Sequence, residues 1–436
     1  MIDQIGQVLD IIENFLWDYL GFPAILIVGF WLSWKSGFIQ IRGFPRVYKT
    51  FFRFLFGGEK DAHAPGIAPL KSFFAALGGC VGIGNIVSIT TAIQIGGPGA
   101  LLWVWLTAIV GSLVKYSEIY LGIRFRVPQG EYGYRGGPMF YLRKVASPWV
   151  AILFCIFLSI YGVEIFQFSV VATSLSELFS VDKTYMVVVL LVLVLFAEFG
   201  GLRRVGNLSA VLIPLFIAMY LSMGAWVLIQ NIEKFPAILS DIFTSAFSSH
   251  AAIGGFAGST LLMTISQGIR RGCNSSDIGV GYASIIYSES RVEKPETQAS
   301  LIIFEVFLDT FVICTMSILL VLVTGTWHSG ADALYLVYMA LDQYFPYMNY
   351  FMPLFFILLG YSTIVTYFFA GIKTAEFVFP KYGRYVYYAY AVVVFWTFSF
   401  VQMTQAQSIM TIVGACLLAL NLFGIWRLRH ELQFNF

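Results

Sequence analysis

The sequence predicts an all-α integral membrane protein with about eleven transmembrane helices. Of the 436 residues, 58% are hydrophobic and only 11% are charged, whereas a soluble domain carries about 25% charged residues. Apolar stretches such as MVVVLLVLVLFAEFG at 186–200 recur along the whole chain. Because about 20 apolar residues suffice to cross a bilayer, this composition indicates a multi-pass protein. A third observation, the placement of the basic residues, predicts its orientation.

Eleven segments have the length and the hydropathy of a membrane span. They lie at roughly 16–34, 70–95, 100–122, 148–178, 184–200, 207–230, 254–272, 298–325, 350–372, 385–403 and 407–426. If the N-terminus is outside, all 26 Lys and Arg residues except Lys115, Lys183 and Lys234 fall on the inner side, Arg270 and Arg271 included. Inner loops are enriched in basic residues, so we predict an outer N-terminus and an inner C-terminus.

Two glycine-rich stretches predict breaks within spans. GGCVGIGN at 78–85 holds four Gly residues within seven positions, and GGFAGS at 254–259 lies five spans later. Broken helices at corresponding positions of two halves are typical of inverted-repeat transporters. Close packing of helices against glycine is the alternative explanation. We predict a single membrane domain over residues 1–436, with an extra helix at 16–34, a first repeat at 70–230 and a second repeat at 254–426.

A broken helix offers its own main chain as a ligand. The half-helix after the break begins with free N–H groups and the positive end of the helix dipole, which suit a carboxylate. The half-helix before the break ends in free carbonyl groups, which suit a cation such as Na⁺. One broken helix can therefore hold an amino-acid carboxylate and a metal ion close together.

Several motifs resemble the alanine/glycine:cation symporter family, over roughly 70–375. They are VGIGNIVSITTAIQIGGPGALLWVWLTAIVGSLVKYSE (81–118), YGYRGGPMFYL (132–142), GGFAG (254–258), GIRRG (268–272) and FLDTFVICT (307–315). The first motif is also similar to the NAVGLGN stretch of the sodium-coupled transporter LeuT. The resemblance implies a LeuT-type fold of five plus five helices, in which the first helix of each repeat is broken.

The resemblance also implies a substrate site of six residues. The first two would offer N–H groups to the substrate carboxylate, and the third would brace the break or lie near the ion. The fourth matches a glutamine of the third core helix that reaches the substrate. The last two would form the second break and cover the substrate. These residues are, in that order, Ile83, Gly84, Asn85, Gln167, Phe256 and Gly258.

The spacing of oxygen-bearing residues in LGYSTIVTYF (359–368) predicts an ion site. Leu359, Ser362 and Thr363 stand at i, i+3 and i+4, which places a carbonyl and two hydroxyls on one helix face. The carbonyls of Gly78 and Val81 would complete five oxygen ligands for Na⁺. Local hydrogen bonds of buried Ser and Thr to their own helix are the alternative explanation of this pattern.

The chain departs from the family pattern at several positions. RGCNSSDIG at 271–279 replaces the SNEAG that usually follows RG, Ile83 replaces a Thr, and Tyr367 stands where the family tends to carry Trp. An apolar Ile keeps its backbone N–H, so carboxylate binding is expected to persist. The selectivity for the substrate side chain and the identity of the coupling ion are left open by these changes.

Intramembrane acids offer a second route of coupling, because such groups carry protons in some transporters. Glu164 stands where the family tends to carry Asn, and Asp277 stands where it carries Glu; both are candidates for coupling. Lys115 and Glu118, at i and i+3, predict an ion pair. Asp309, near the inner loop, is expected to anchor its helix.

The favoured function is symport of Na⁺ with a small neutral amino acid, such as alanine or glycine, by alternating access. A proton-coupled amino-acid transporter and a transport-inactive amino-acid sensor of the same fold are the alternatives. The sequence contains no HExxH, GxSxG or Walker A motif, which disfavours a zinc protease, a serine hydrolase and an ATP-driven pump. We expect a multi-pass protein of the inner (plasma) membrane, with no enzymatic activity. Its partners would be the amino acid, Na⁺ and the lipid bilayer, with no nucleic acid and no obligatory protein partner.

Overall fold

The computed structural model describes residues 2–56, 66–129, 133–198, 200–248 and 261–436, and most of these residues are helical. The helices are α1 (Ile2–Leu16), α2 (Phe22–Lys35), α3 (Ile39–Arg42), α4 (Phe44–Phe56), α5 (Pro69–Cys80), α6 (Ser88–Gly96), α7 (Ala100–Arg124), α8 (Pro138–Val145), α9 (Pro148–Tyr161), α10 (Ile165–Phe179), α11 (Lys183–Glu198), α12 (Gly201–Gln230), α13 (Phe235–Ser245), α14 (Leu261–Ser275), α15 (Tyr282–Ser288), α16 (Pro295–Val306), α17 (Thr315–Thr324), α18 (Ala333–Asp342), α19 (Met348–Val378), α20 (Gly383–Phe398) and α21 (Met403–Arg427). Two short strands, β1 (Val127–Pro128) and β2 (Tyr134–Arg135), pair antiparallel. Wider π-helical turns at Trp17–Gly21 and Phe307–Cys314 join α1 to α2 and α16 to α17.

Seven helical stretches in the described parts of the chain are long and apolar enough to cross a membrane. They are Gly6–Lys35, Ala100–Arg124, Pro148–Phe179, Gly201–Gln230, Pro295–Thr324, Met348–Val378 and Met403–Arg427. Pro69–Cys80 and Ile83–Gly96 meet at a bend of 57°, and together they have the length and hydropathy of an eighth span or of a re-entrant loop. The other three predicted spans fall on shorter helices. The span at 184–200 corresponds to α11, that at 385–403 to α20, and that at 254–272 to α14, with residues 254–260 outside the described part of the chain. The number of crossings and their orientation stay predictions.

The long helix α19 lies at the centre of the bundle, and it packs against α5, α9, α10, α12 and α20. Glycine on α5 permits a close approach to both α19 and α15. A Cβ atom on Gly79 would come within 2.6 Å of the ring of Tyr282 and 2.9 Å of the methyl group of Thr366. The glycine-rich stretch therefore serves packing as well as the break that follows it, so the two explanations of the sequence pattern hold together.

A second interrupted helix lies in the later half of the chain. Helix α14 ends at Ser275 and α15 begins at Tyr282, and the backbone between them is not helical. Within it Asp277, Gly279 and Gly281 adopt positive φ values of 49°, 79° and 89°, a region that glycine enters without strain. In the described residues, the second break thus lies at 276–281. The stretch GGFAG, with Phe256 and Gly258, lies outside the described residues.

This course of the chain corrects the placement of two basic residues. The sequence analysis assigned Arg270 and Arg271 to an inner loop, but both are buried within α14. The guanidinium of Arg270 donates hydrogen bonds to Glu13, Asn14 and Asp18 at 3.0 to 3.2 Å. These acidic and amide partners allow the charge to be buried. A rule that counts basic residues in loops cannot detect partners so distant in sequence.

A buried lysine joins the two interrupted helices. The ammonium of Lys115 on α7 donates to the carbonyl of Ser276 at 2.8 Å and to Oε1 of Glu305 at 3.0 Å, and it lies 3.5 Å from the Sγ atom of Cys80. The predicted pair of Lys115 with Glu118 is wrong. Glu118 instead accepts a hydrogen bond of 2.6 Å from the Asn421 amide. Packing between distant helices has overridden the i, i+3 spacing.

The buried Lys115–Glu305 pair yields a stability prediction. Both side chains are fully buried, so Lys115→Met should lower the free energy of unfolding by about 3–5 kcal/mol, because Glu305 is left as an unpaired buried charge. The double variant Lys115→Met/Glu305→Met should recover most of this loss. Thermal unfolding in detergent measures both effects. A double variant as unstable as the single one would show that the unpaired charge is not the cause.

Candidate functional site

The first break is held open by an amide side chain. Helix α5 ends at Cys80, and Val81 and Gly82 are extended before a short 3-10 turn at Ile83–Asn85. The Oδ1 atom of Asn85 accepts a hydrogen bond of 2.9 Å from the N–H of Gly82. This contact satisfies a backbone group that the lost helical turn would otherwise leave unpaired.

The same amide links the first break to the second. The Nδ2 group of Asn85 donates to Oδ1 of Asp309, whose Oδ2 atom accepts from the Ser276 hydroxyl at 2.7 Å and from the Thr310 hydroxyl at 3.1 Å. Asp309 is fully buried within the π-helical turn Phe307–Cys314. Asp309 thus lies beside the break. The sequence predicted a helix anchor near an inner loop and did not indicate this position. π-Helical turns are frequent at functional sites, but the sequence shows no sign of this one.

A polar cavity of about 70 Å³ lies between the two breaks. Of the six predicted substrate residues, Gly84, Asn85 and Gln167 line it. Its other lining residues are Gly79, Cys80, Gly82, Ser88, Tyr161, Glu164, Phe166, Arg271, Asn274, Ser275, Asp277, Gln407, Met410 and Thr411. Both candidates for coupling, Glu164 and Asp277, are therefore at the cavity. The side chain of Ile83 is buried in the apolar core.

A side chain already occupies one of the N–H groups predicted to bind the substrate carboxylate. The Oε1 atom of Gln167 accepts a hydrogen bond of 3.1 Å from the N–H of Ile83. The Nε2 group of Gln167 donates in turn to Oε2 of Glu164 at 3.2 Å. Glu164 takes a left-handed backbone conformation, with φ of 49°, at the turn between α9 and α10. A carboxylate that binds at Ile83 must therefore displace the Gln167 amide.

The five predicted ion ligands lie together where α19 crosses the first break. The hydroxyl of Thr363 is 3.1 Å from the carbonyl oxygen of Gly78, 3.1 Å from that of Leu359 and 3.5 Å from that of Val81. Ser362 is fully buried beside Gly78, and a Cβ atom on that glycine would collide with its hydroxyl. Three carbonyls and two hydroxyls without a carboxylate make a hard, neutral oxygen set, which suits a monovalent cation.

The sequence analysis missed two residues of this region. Ser209 on α12 lies 2.7 Å from Ser362, hydroxyl to hydroxyl, and so extends the oxygen cluster to a third helix. Tyr161 on α9 approaches Asp277, with 3.5 Å between the phenol oxygen and Oδ1. An isolated Ser or Tyr within an apolar span gives no signal in the sequence, because both residues are common in helix packing.

Comparison with known proteins identifies the family. The profile of the sodium:alanine symporter family matches residues 2–433. This chain belongs to the sodium:alanine symporter family. Members of the family are transporters, so the chain is a cation-coupled amino-acid transporter and a multi-pass membrane protein.

Similar proteins agree with this assignment. The sodium/alanine symporter AgcS of Methanococcus maripaludis is 28% identical over 407 residues, which cover 89% of this chain and 87% of AgcS. The amino-acid carrier protein AlsT of Bacillus subtilis is 30% identical over 86% of this chain and 78% of its own. The crystal structure of MhsT in complex with L-phenylalanine superposes with a TM-score of 0.59 at 17% identity, and covers 83% of this chain and 89% of MhsT. The fold of this family member is therefore the predicted LeuT type.

The geometry of the break predicts opposite outcomes for two glycine substitutions. In Gly78→Ala, the added methyl group would collide with the hydroxyls of Ser362 and Ser209. We expect uptake to reach half of its maximum at a Na⁺ concentration at least about tenfold higher than in wild type. This corresponds to a loss of roughly 1.4 kcal/mol in the free energy of Na⁺ binding. In the matched variant Gly84→Ala, the methyl group would meet only Ser88, at 4.0 Å, so Na⁺ dependence should stay within about twofold. Equal Na⁺ dependence in both variants would contradict this assignment of the oxygen cluster.

Proposed function

We propose that this chain is a secondary active transporter of the inner (plasma) membrane that couples the entry of Na⁺ to the uptake of a small neutral amino acid, with alanine or glycine as the reference substrates. One observation carries the proposal, namely the oxygen cluster around Thr363 at the point where α5 breaks. The name of the relative AgcS, a sodium/alanine symporter, supports the same ion and substrate.

The oxygen cluster explains how an ion would be coupled to the break. Gly78 and Val81 contribute carbonyls from the end of α5, while Leu359, Ser362 and Thr363 lie on α19. A cation shared by both sets would tie the interrupted helix to the central one. It would thereby stabilise the extended backbone at Val81 and Gly82, which is needed for substrate binding.

The cavity accounts for the proposed substrate. Its 70 Å³ holds about five water molecules, or roughly 150 Å³ of liquid, which suits a small amino acid. The α-carboxylate would take the N–H groups at Ile83 and Gly84, displacing the Gln167 amide. The α-ammonium would face the carboxylates of Glu164 and Asp277. This arrangement assigns a partner to each charge of a zwitterion.

Alternating access would follow from the two repeats, at 70–230 and 254–426, with the extra helix at 16–34 outside them. The repeats would rock around the cavity, which exposes it to each side of the membrane in turn. If Na⁺ raises the affinity for the amino acid by some factor, the amino acid raises the affinity for Na⁺ by the same factor. Each Na⁺ entering down the membrane potential would release about 2.3 kcal/mol per 100 mV.

The direct test is uptake of labelled alanine and glycine into proteoliposomes. We expect accumulation with an inward Na⁺ gradient, and none with a proton gradient alone. Ser362→Ala/Thr363→Ala should raise the Na⁺ concentration for half-maximal uptake at least about 100-fold, because each of the two lost hydroxyls contributes about 1.5–3 kcal/mol through its contact with a charge. The control is Thr374→Ala on the same helix, whose hydroxyl bonds Gly371 and Ser159 away from the break. Unchanged Na⁺ dependence in the double variant would remove this site.

A proton-coupled transporter is the second candidate, because Glu164 lies at the cavity and holds the glutamine that caps the Ile83 N–H. Under the Na⁺ proposal, Glu164→Gln should keep Na⁺-driven uptake with a changed substrate affinity, since the amide preserves the size of the side chain. Under the alternative, uptake by the wild-type protein follows an imposed proton gradient and disappears in Glu164→Gln. Uptake driven by each gradient, measured in parallel for both proteins, separates the two mechanisms.

A further inference from the structure

The segment that joins the first helical stretch to the first broken helix is strongly basic. Over residues 35–58 the sequence contains five basic residues and no acidic one. Three of them stand on α4 at i, i+3 and i+7, all are exposed, and none is joined by an ion pair to a carboxylate in the described part of the chain. These three residues, which we call the basic row, are Arg46, Lys49 and Arg53. The basic row therefore presents three uncompensated positive charges on one side of a short helix.

The rest of α4 is apolar, and protein covers only part of it. Val47 and Phe51 are buried against the bundle. Tyr48, Leu55 and Phe56, which we call the apolar face, are 47%, 39% and 77% exposed. At about 100° per residue, the buried pair, the apolar face and the basic row occupy three separate arcs of the helix. An exposed apolar arc beside a basic one is typical of a helix that lies in a membrane interface.

Helix α4 crosses a membrane-spanning helix instead of running beside it. The rings of Phe44, Tyr48 and Phe51 all lie against Phe304 of α16, with centroids 4.7 to 6.3 Å apart. Residues 44 and 51 are about 10 Å apart along the axis of α4, so a parallel helix would meet different partners at these two positions. Because α16 belongs to the apolar stretch Pro295–Thr324, a helix that lies across it runs roughly in the plane of the membrane. With 13 residues, α4 is also too short to span a bilayer.

The depth and the side of this crossing fit a membrane interface. Phe304 follows the predicted start of its span, residue 298, by six residues, which is about 9 Å along the helix. Interfacial helices bury their apolar face about 5–10 Å deep. The guanidinium of Arg46 donates to the carbonyl of Phe436 at 3.3 Å. The basic row thus lies on the side of the C-terminal segment, which the sequence predicts to be the inner side.

We propose that α4 is an in-plane helix whose basic row binds the phosphate groups of anionic phospholipids in the inner leaflet, while its apolar face enters the acyl region. A bilayer is the occupant that fits, because it offers phosphate and hydrocarbon side by side, as the two arcs require. The surface is connected to the transport machinery, since Phe51 packs against Phe73 of α5 with 5.0 Å between the ring centroids. A lipid held at α4 would therefore brace the first half of the broken helix.

The test measures thermal unfolding of the purified full chain in detergent with added lipid. Dioleoylphosphatidylglycerol, which is anionic, is compared with dioleoylphosphatidylcholine, which is zwitterionic. We expect half-maximal stabilisation of the wild type at a phosphatidylglycerol concentration at least about tenfold lower, because each basic residue near an anionic surface strengthens binding about fivefold. Arg46→Gln/Lys49→Gln/Arg53→Gln should abolish this preference, and so should about 1 M NaCl, which screens exposed charges beyond about 3 Å.

A matched control removes the same charge elsewhere. Arg143→Gln/Lys144→Gln/Lys381→Gln alters three exposed basic residues, two on α8 and one between α19 and α20, and should keep the preference for phosphatidylglycerol. A variant of the apolar face, Leu55→Ser/Phe56→Ser, should weaken the stabilisation by both lipids while the preference between them persists. None of these measurements needs transport, so the proposal stands or falls independently of the proposed function.

Several results would overturn the proposal. A wild type that is stabilised equally by both lipids excludes a preference for anionic headgroups. Equal loss in the control variant would assign the preference to the net charge of the protein, and stabilisation by inorganic phosphate alone would identify a site for a soluble anion. A change of oligomeric state in the α4 variant with unchanged lipid preference would assign the surface to a second copy of the chain. If a variant unfolds early without lipid, native mass spectrometry counts the phosphatidylglycerol molecules that remain bound; fewer than in wild type supports the proposal, and an unchanged number contradicts it.

Discussion

The structure depends on one constraint, which is that interrupted backbone in the middle of a helical bundle must find hydrogen-bond partners within the protein. At the first break, side chains from separate elements meet this need. Asn85 accepts from the N–H of Gly82, Gln167 accepts from that of Ile83, and Thr363 lies against the carbonyl of Gly78. Backbone that water cannot reach would otherwise cost several kcal/mol per unpaired group. Under the proposed function, a carboxylate would replace Gln167 at the N–H of Ile83 and an ion would bind the carbonyl of Gly78, so the same contacts would supply the chemistry of the site.

The second break is fixed by charge rather than by amides alone. Lys115 donates to the carbonyl of Ser276, and Asp309 accepts from the hydroxyl of the same residue. Because Asp309 also accepts from Asn85 and Lys115 also approaches Cys80, both groups reach the two breaks at once. A displacement of one interrupted helix therefore strains the contacts of the other. Such shared partners provide a physical route by which the proposed ion binding at α5 would affect the backbone at 276–281.

The sequence predicted those parts of the site that depend on local residue spacing. It did not predict the contacts that depend on packing between helices distant in sequence. Four Gly residues next to Asn85 predicted a break in the helix. The i, i+3, i+4 spacing of Leu359, Ser362 and Thr363 predicted an oxygen-rich helix face. Both patterns are read within one or two helical turns. The later break at 276–281 was not predicted there because its two glycines, Gly279 and Gly281, do not form a dense run like that at 78–84. The partner of Lys115 was wrong for a related reason, since Glu305 is distant along the chain and only the packing of α7 against α16 brings it near.

The charges of the cavity limit which cargo can be carried together. If Glu164 and Asp277 were both ionised, Arg271 would leave one negative charge uncompensated among the described residues that line the cavity. A zwitterionic amino acid adds no net charge, and a single monovalent cation beside the break then makes the loaded site neutral. A neutral load crosses a low-dielectric interior at far lower electrostatic cost than a charged one. The empty site, and the site with the amino acid alone, would retain the negative charge, so the cation is the component that would lower the electrostatic cost of the movement. The balance of charge would thus explain the need for the cation, whereas the need for the amino acid would have to come from its contacts at the two breaks.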